Sequence, residues 1–227
     1  MRGAAEEGDH LKLGILGGTF DPIHFGHLRV AEEVGEELEL EHVYLIPAAL
    51  PPHKDGKPVS SFEHRMAMTR IAVEGSPLLE ALDLEGRRQG LSYSIETLRE
   101  FRQLFKGNFE LFFIIGIDAF LEIGTWKEYR ALFDYAHFLV INRPGFQSED
   151  LGPFLASLEA GFERDGHKFV VPSGNHLIFK QATLMDISST EIRNRVVEGK
   201  TIHFMLPKTV REYIVENRLY MIHGNSR

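Results

Sequence analysis

Gly17-Gly18-Thr19-Phe20-Asp21-Pro22-Ile23-His24-Phe25-Gly26-His27-Leu28 follows directly on the apolar run Leu11–Leu16. The order reads as a buried strand, a glycine turn, then two histidines three apart at the start of a helix. Gly17 and Gly18 carry no Cβ, so the backbone can bend sharply and approach a ligand closely. The helix start offers unpaired N–H groups and the positive end of its dipole. His24 and His27 add side-chain donors that reach phosphate oxygens. A Gly-Gly pair alone is a plain tight turn, and H-x-x-H spacing alone is half a metal site. Gly26 keeps the segment open for phosphate, and we assign no protein metal ligands. Strand, turn and both histidines in this order point to a polyphosphate site.

The chain has 227 residues, 43% hydrophobic and 26% charged, enough for one large α/β domain with a real core. Met1–His10 is charged and lacks an apolar centre, so it reads as a flexible extension rather than a secretory signal. Residues 11–222 form the expected domain, and 223–227 a tail. No apolar run is long enough to span a bilayer. The absence of cysteine excludes disulfides, thiolate metal sites and thiol nucleophiles. A net charge of −8 argues against long nucleic-acid partners. A small anionic substrate held by local cations in a cleft remains compatible with it. The expected location is cytoplasmic, no membrane partner is expected, and homo-oligomer formation is left open.

Strand and helix patterns alternate. The expected strands are Leu11–Leu16, His42–Pro47, Leu78–Leu84, Phe109–Gly116 and Phe138–Ile141, with shorter apolar runs at Phe169–Val171 and Leu177–Phe179. In Gly26–Leu40, Leu28, Ala31, Val34 and Leu38 recur at helical spacing, with glutamates on the other faces. Ser61–Glu74 and Ser94–Phe105 also read as helices. Gly145–Gly166 is the most loop-like stretch, with Leu151–Phe162 a candidate helix within it. Helices from Thr190 and from Pro207 close the chain. The fold class is therefore α/β: a doubly wound, mostly parallel sheet in a single domain with C-terminal helices. Ligands in such sheets bind beyond the carboxyl ends of the strands.

The G-G-T-F-D-P-x-H-x-G-H-L stretch resembles the signature of the nucleotidyltransferase superfamily that contains the nicotinate- and nicotinamide-mononucleotide adenylyltransferases, with their Rossmann-like nucleotidyltransferase fold. Four later segments are similar to the bacterial nicotinate-mononucleotide type. After the second strand comes Pro47-Ala48-Ala49-Leu50-Pro51-Pro52-His53-Lys54. Its prolines stiffen a loop that would otherwise be a common surface feature. The resemblance implies that Lys54 lies near substrate phosphate. Some relatives carry asparagines where this chain has Ala48 and Ala49, so side-chain contacts from those positions are absent. Ser92-Tyr93-Ser94-Ile95-Glu96-Thr97-Leu98 reads as a capped helix start. It resembles the family's S-Y-T-x-D-T-L, in which the third residue contacts the pyridine carboxyl group. Ser94 keeps that hydroxyl, and Glu96 replaces the more usual aspartate.

Gly116-Ile117-Asp118 follows the most apolar strand, and Trp126, the only tryptophan, comes eight residues after Asp118. Capping and core packing explain these positions in isolation. The spacing resembles the family pattern in which the indole stacks on the nicotinate ring and the aspartate faces the nucleotide sugar. Ile187-Ser188-Ser189-Thr190-Glu191-Ile192-Arg193 resembles the family's I-S-S-T-x-I-R segment beside the nucleotide. Ser188 with Glu191 also fits a capping box, and Arg195 can equally be a surface charge.

The resemblance runs from residue 11 to about 219 and implies transfer of the adenylyl group of ATP to nicotinate mononucleotide. The products are nicotinate adenine dinucleotide and pyrophosphate, formed with Mg²⁺ and without a protein nucleophile. It implies His24, His27 and Arg193 as catalytic residues. It implies Gly17, Gly18, Thr19, Phe20, Gly116, Asp118, Ile187, Ser188, Ser189 and Thr190 at ATP together with His24, His27 and Arg193, and Lys54, Ser94 and Trp126 at nicotinate mononucleotide. Another adenylyltransferase, acting on nicotinamide mononucleotide or phosphopantetheine, stays open as an alternative, as does a non-catalytic nucleotide sensor. A dehydrogenase is disfavoured because no G-x-G-x-x-G follows the first strand.

Overall fold

The computed structural model describes residues 11–51, 59–142, 151–183 and 185–221. The expectations for residues 1–10, for 223–227 and for Lys54 lie outside the described residues. Among those described, one eight-stranded sheet has the order β3-β2-β1-β4-β5-β8-β7-β6. Its strands are β1 (Leu11–Gly18), β2 (His42–Pro47), β3 (Leu79–Ala81), β4 (Phe109–Gly116), β5 (His137–Asn142), β6 (Glu163–Asp165), β7 (Lys168–Val170) and β8 (His176–Gln181). The first six in spatial order run parallel, while β7 runs antiparallel to both β8 and β6. The helices are α1 (Phe25–Leu38), α2 (Phe62–Val73), α3 (Ser94–Leu104), α4 (Ile117–Leu121), α5 (Tyr129–Tyr135), α6 (Gly152–Ser157), α7 (Ser189–Val197) and α8 (Lys208–Glu216).

The central strands form because both of their faces are covered. In β4, Phe-Glu-Leu-Phe-Phe-Ile-Ile-Gly is almost continuously apolar and almost continuously buried. Alternate residues feed two cores. On one face, Leu13, Ile15, Leu111, Phe113 and Phe138 pack with residues of α3, α4 and α5. On the other, Phe112, Ile114 and Leu139 pack with residues of α1, α2, α7 and α8. In α1 the predicted stripe is realised by Leu28, Ala31 and Val34, with Gly35 completing the buried face. Sequence order reverses between β1 and β4, so the carboxyl ends of these neighbours open the crevice that doubly wound sheets use for ligands.

The sheet departs from expectation at its edges. β3 is only three residues long, because after Leu82 the chain leaves the sheet for a 3₁₀ turn at Glu85–Arg87. β6 is a fully exposed Glu-Arg-Asp stretch with no apolar pattern to read. The short helices α4, α5 and α6 span five to seven residues, too few for a helical period to emerge. Of the Leu151–Phe162 reading, only Gly152–Ser157 is α-helical.

Phe138 ties β5 to the helix above it and to the adjacent strand: its ring lies 4.7 Å from Phe133 in α5 and 5.2 Å from Phe113 in β4. Phe138→Ala is expected to cost about 3–5 kcal/mol of unfolding free energy, measured by urea denaturation.

Candidate active site

The turn after β1 is built from close approaches. Phe20 adopts φ 49°, and its buried ring lies so near Gly18 that a Cβ there would sit 2.8 Å from it. The same ring meets His27 edge-on at 5.0 Å. His24 is the N-cap of α1, and its imidazole stacks on His27 with centroids 3.7 Å apart. A Cβ at position 26 would come within 3.0 Å of His24 Nδ1, which explains the glycine between the histidines. The His24 backbone N–H donates to His27 Nδ1 at 3.3 Å. That bond leaves the His27 proton on Nε2, the nitrogen free to serve as a donor.

Two cavities open at the carboxyl ends of β1 and β4. The first, about 410 Å³, is lined by Gly17, Gly18 and Thr19 after β1, Ala48 and Pro51 after β2, Tyr93, Ser94 and Thr97 at α3, and Trp126 with Lys127. The second, about 580 Å³, is lined by His27, Gly116, Ile117, Asp118, Asp186, Ile187 and Ser188. They share Leu16, Ile114, Ile115 and Gly116, so the strand ends form a common wall. The structure thus brings Ser94 and Trp126 together in one cavity and His27, Asp118 and Ser188 in the other. His24 and Arg193 line neither. His24 backs His27. Arg193 reaches the phosphate turn from α7, donating to the Asp21 carbonyl at 2.6 Å and to Thr190 Oγ1 at 3.1 Å. Ser189 Oγ donates to the Pro22 carbonyl at 2.8 Å, fastening α7 to the same turn.

With this crevice in place, comparison with known proteins is informative. The profile of the family described as Cytidylyltransferase-like matches residues 15–195. A protein of Geotalea daltonii named probable nicotinate-nucleotide adenylyltransferase is 45% identical over 92% of this chain and 98% of its own. One of the same name from Desulfatibacillum aliphaticivorans is 44% identical over 93% of this chain and 100% of its own. The chain belongs to the nicotinate-nucleotide adenylyltransferase family. The fold of that family recurs at low identity. The Plasmodium falciparum nicotinic acid mononucleotide adenylyltransferase solved with NaAD aligns with a TM-score of 0.70 at 21% identity, covering 93% of this chain and 98% of that one.

Ser94 is not a cap: the N-cap of α3 is Tyr93, without a side-chain cap bond, and Ser94 turns to the first cavity. Ser92 instead ties the segment to the loop after β2, exchanging bonds with the Leu50 backbone at 2.9 and 3.1 Å. Glu96 pairs with Lys127 at 2.6 Å, and Lys127 lies over the Tyr93 ring at 4.6 Å. Trp126 is half-buried, its ring 6.5 Å from Phe113. Ser188 does cap α7, accepting from the Glu191 N–H at 3.1 Å, while its place in the second cavity lets it serve both roles. Arg195 pairs with Glu191 and the Thr201 carbonyl, away from both cavities.

The histidines are neutral rather than cationic. Burial lowers the His24 pKa to about 4. Burial, then the adjacent His24, hold His27 well below its ordinary value. They therefore act as N–H donors at neutral pH, and formal positive charge must come from arginine and lysine.

Arg65, which motif reading passed over, is the most buried charge, at 1% exposure. Its guanidinium donates to the carbonyls of Ser60 (2.9 Å), Thr19 (2.8 Å), Ala48 (2.6 Å) and Ala49 (3.0 Å). It therefore clamps the loop after β1 to the loop after β2. The only sequence signal was an arginine on the inward face of a helix, between Phe62 and Met66.

Arg65→Met leaves four inward carbonyls without donors and is expected to destabilise the fold by about 3–5 kcal/mol, read from denaturant midpoints. Stability should also fall with acid. The unfolded chain protonates its histidines near pH 6.5, whereas folded His24 resists until about pH 4. Stability present above pH 6.5 is lost as pH drops toward 4, by about 3 kcal/mol for His24 alone. His137, also lowered to about 4 by burial, adds to the same window. Urea midpoints at pH 7, 5.5 and 4.5 should decline, and His24→Asn should flatten the decline.

Proposed function

We propose that the protein transfers the adenylyl group of ATP to nicotinate mononucleotide, giving nicotinate adenine dinucleotide and pyrophosphate in NAD biosynthesis. The observation that carries this reading is the pair of cavities meeting at the β1 and β4 ends, with Gly17–Thr19 of the turn after β1 lining the first and His27 lining the second. A reaction between two nucleotides needs two adjoining sites with phosphate donors between them. The relatives' names and the NaAD complex of the structural neighbour support the same choice.

In this reading the second cavity takes ATP. Gly116 and Asp118 face the nucleoside, the α7 start at Ile187–Ser188 meets the phosphates, and the triphosphate reaches across the shared wall toward Gly17–Phe20, whose first three residues line the first cavity, and toward Arg193, which neutralises the outer phosphates. The first cavity takes the mononucleotide, with Trp126 stacked on the pyridine ring, Ser94 at its carboxylate and Lys54 on its phosphate. An oxygen of that phosphate attacks the α-phosphorus of ATP, a P–O bond forms, and the bond to the β-phosphate oxygen breaks to release pyrophosphate. No protein atom bonds to phosphorus. His27 Nε2–H donates to the oxygens that gain charge in transit, and His24 holds that ring by stacking. Catalysis is alignment plus electrostatic stabilisation.

Among the described residues no cluster of three or more histidine or acidic side chains could hold a metal ion. A divalent cation, Mg²⁺ in this proposal, would be held by substrate phosphate and water and would supply charge neutralisation. A cytoplasmic location belongs to the same reading, since both substrates are metabolites of that compartment. No helix among the described residues is long and apolar enough to cross a membrane.

The test is pyrophosphate release from ATP with nicotinate mononucleotide, nicotinamide mononucleotide and phosphopantetheine supplied in turn. Nicotinate mononucleotide should be used best, and a preference for either rival overturns the acceptor assignment. His27→Ala should lower kcat by about 10² while leaving the circular dichroism spectrum unchanged. A wild-type rate in that variant removes His27 from the mechanism.

A further inference from the structure

Asp21 lies inside the phosphate turn with 2% exposure, yet it is a carboxylate. Such a group is stable only when it is richly hydrogen-bonded. Its Oδ2 accepts from the Ser60 N–H at 3.3 Å, and its Oδ1 accepts from the Tyr220 hydroxyl at 2.7 Å. The buried Arg65 guanidinium interacts with its charge. Tyr220 stands 199 residues further along the chain, beyond α8. Its backbone holds φ 64°, and Arg218 before it φ 51°, conformations that bulky residues rarely adopt. The turn beyond α8 is fixed by the Leu219 N–H donating to the Ile214 carbonyl at 3.0 Å. Burial and the Asp21 charge push the phenol far above its ordinary pKa, so it keeps the proton it donates.

Asp21 is linked to three parts of the proposed triphosphate cradle. Its carbonyl receives Arg193. Phe20 before it rests edge-on against His27. Pro22 after it accepts from Ser189 at the α7 start. A carboxylate anchored by one strong, distant donor sets the position of all three.

We propose that Tyr220 is a positioning residue for the ATP site: through its hydrogen bond to Asp21, the C-terminal segment holds the Phe20–Pro22 turn, and with it Arg193 and His27, in the arrangement that receives the triphosphate. Tyr220 touches no substrate. The Ser94 and Trp126 side of the first cavity is held without it, the Ser92–Leu50 pairing fastening that segment to the loop after β2. The inference rests on placing ATP in the second cavity.

The experiment compares full-length wild type with Tyr220→Phe, which removes one oxygen atom. Dissociation constants are measured for ATP with Mg²⁺ in the absence of acceptor, and for nicotinate mononucleotide alone. The Kd for ATP should rise about fivefold to tenfold while that for the mononucleotide stays within about twofold. A purely structural tyrosine would lower the melting temperature and leave both constants unchanged, and that result overturns the proposal. Equal weakening of both ligands overturns it too. Should Tyr220→Phe be too unstable for binding work, amide exchange at Asp21, Ile23 and His24 in wild type provides the second measurement. Those amides must slow on ATP binding more than the amides around Ser94; no difference rejects the coupling. If wild type binds ATP but releases no pyrophosphate with any mononucleotide, the acceptor assignment fails while the Tyr220 comparison still stands. If wild type binds no ATP, the functional reading fails, and this proposal with it.

Discussion

Two loops at the mouth of the crevice, with their carbonyls turned inward, need a buried donor, and Arg65 supplies it. A planar guanidinium can serve several acceptors at once in fixed directions, which an ammonium cannot do. Its four acceptors come from the loop after β1, the loop after β2 and the chain leading into α2. Without this contact each loop would have to find water, and the crevice would lose its shape. The hydrophobic cores position the strands, while the guanidinium positions what the strands carry.

The site must bring together two anions on a chain whose net charge is −8. The structure does not answer with a pool of cations. Its central histidines are stacked, buried and neutral, so they offer directed N–H bonds. A neutral donor costs less to desolvate than a buried charge and strengthens as the phosphate gains charge. Apart from the buried Arg65, full positive charge stands outside the histidine pair, where Arg193 meets the Asp21 carbonyl and Lys127 is already matched by Glu96. Such a division suits a reaction whose substrates bring most of the charge themselves.

Much of this was legible in the residues. The apolar runs of β1, β2, β4 and β5 announce themselves because buried parallel strands have no polar face to dilute them. The Gly18 and Gly26 requirements follow from crowding by Phe20 and His24, so the motif is its own explanation. Ser94 and Trp126 shared a cavity as their segments suggested. Other features leave no local trace. Arg65 looks like any helical arginine until the fold surrounds it with carbonyls. Tyr220 and Asp21 are joined only by tertiary structure. The neutral state of the histidines depends on burial, which no spacing reveals. The edge strand β6 is a short charged triplet, so no periodicity marks it.

Those unassuming edges shape how the molecule meets others of its kind. A sheet bordered at one side by three residues of β3 and at the other by the charged triplet Glu163-Arg164-Asp165 presents almost no ladder to which a foreign strand could attach. Fibrillar stacking and swapped strands are thereby discouraged at both margins. Any self-association must use the helical flanks, where side chains rather than backbone amides decide the fit.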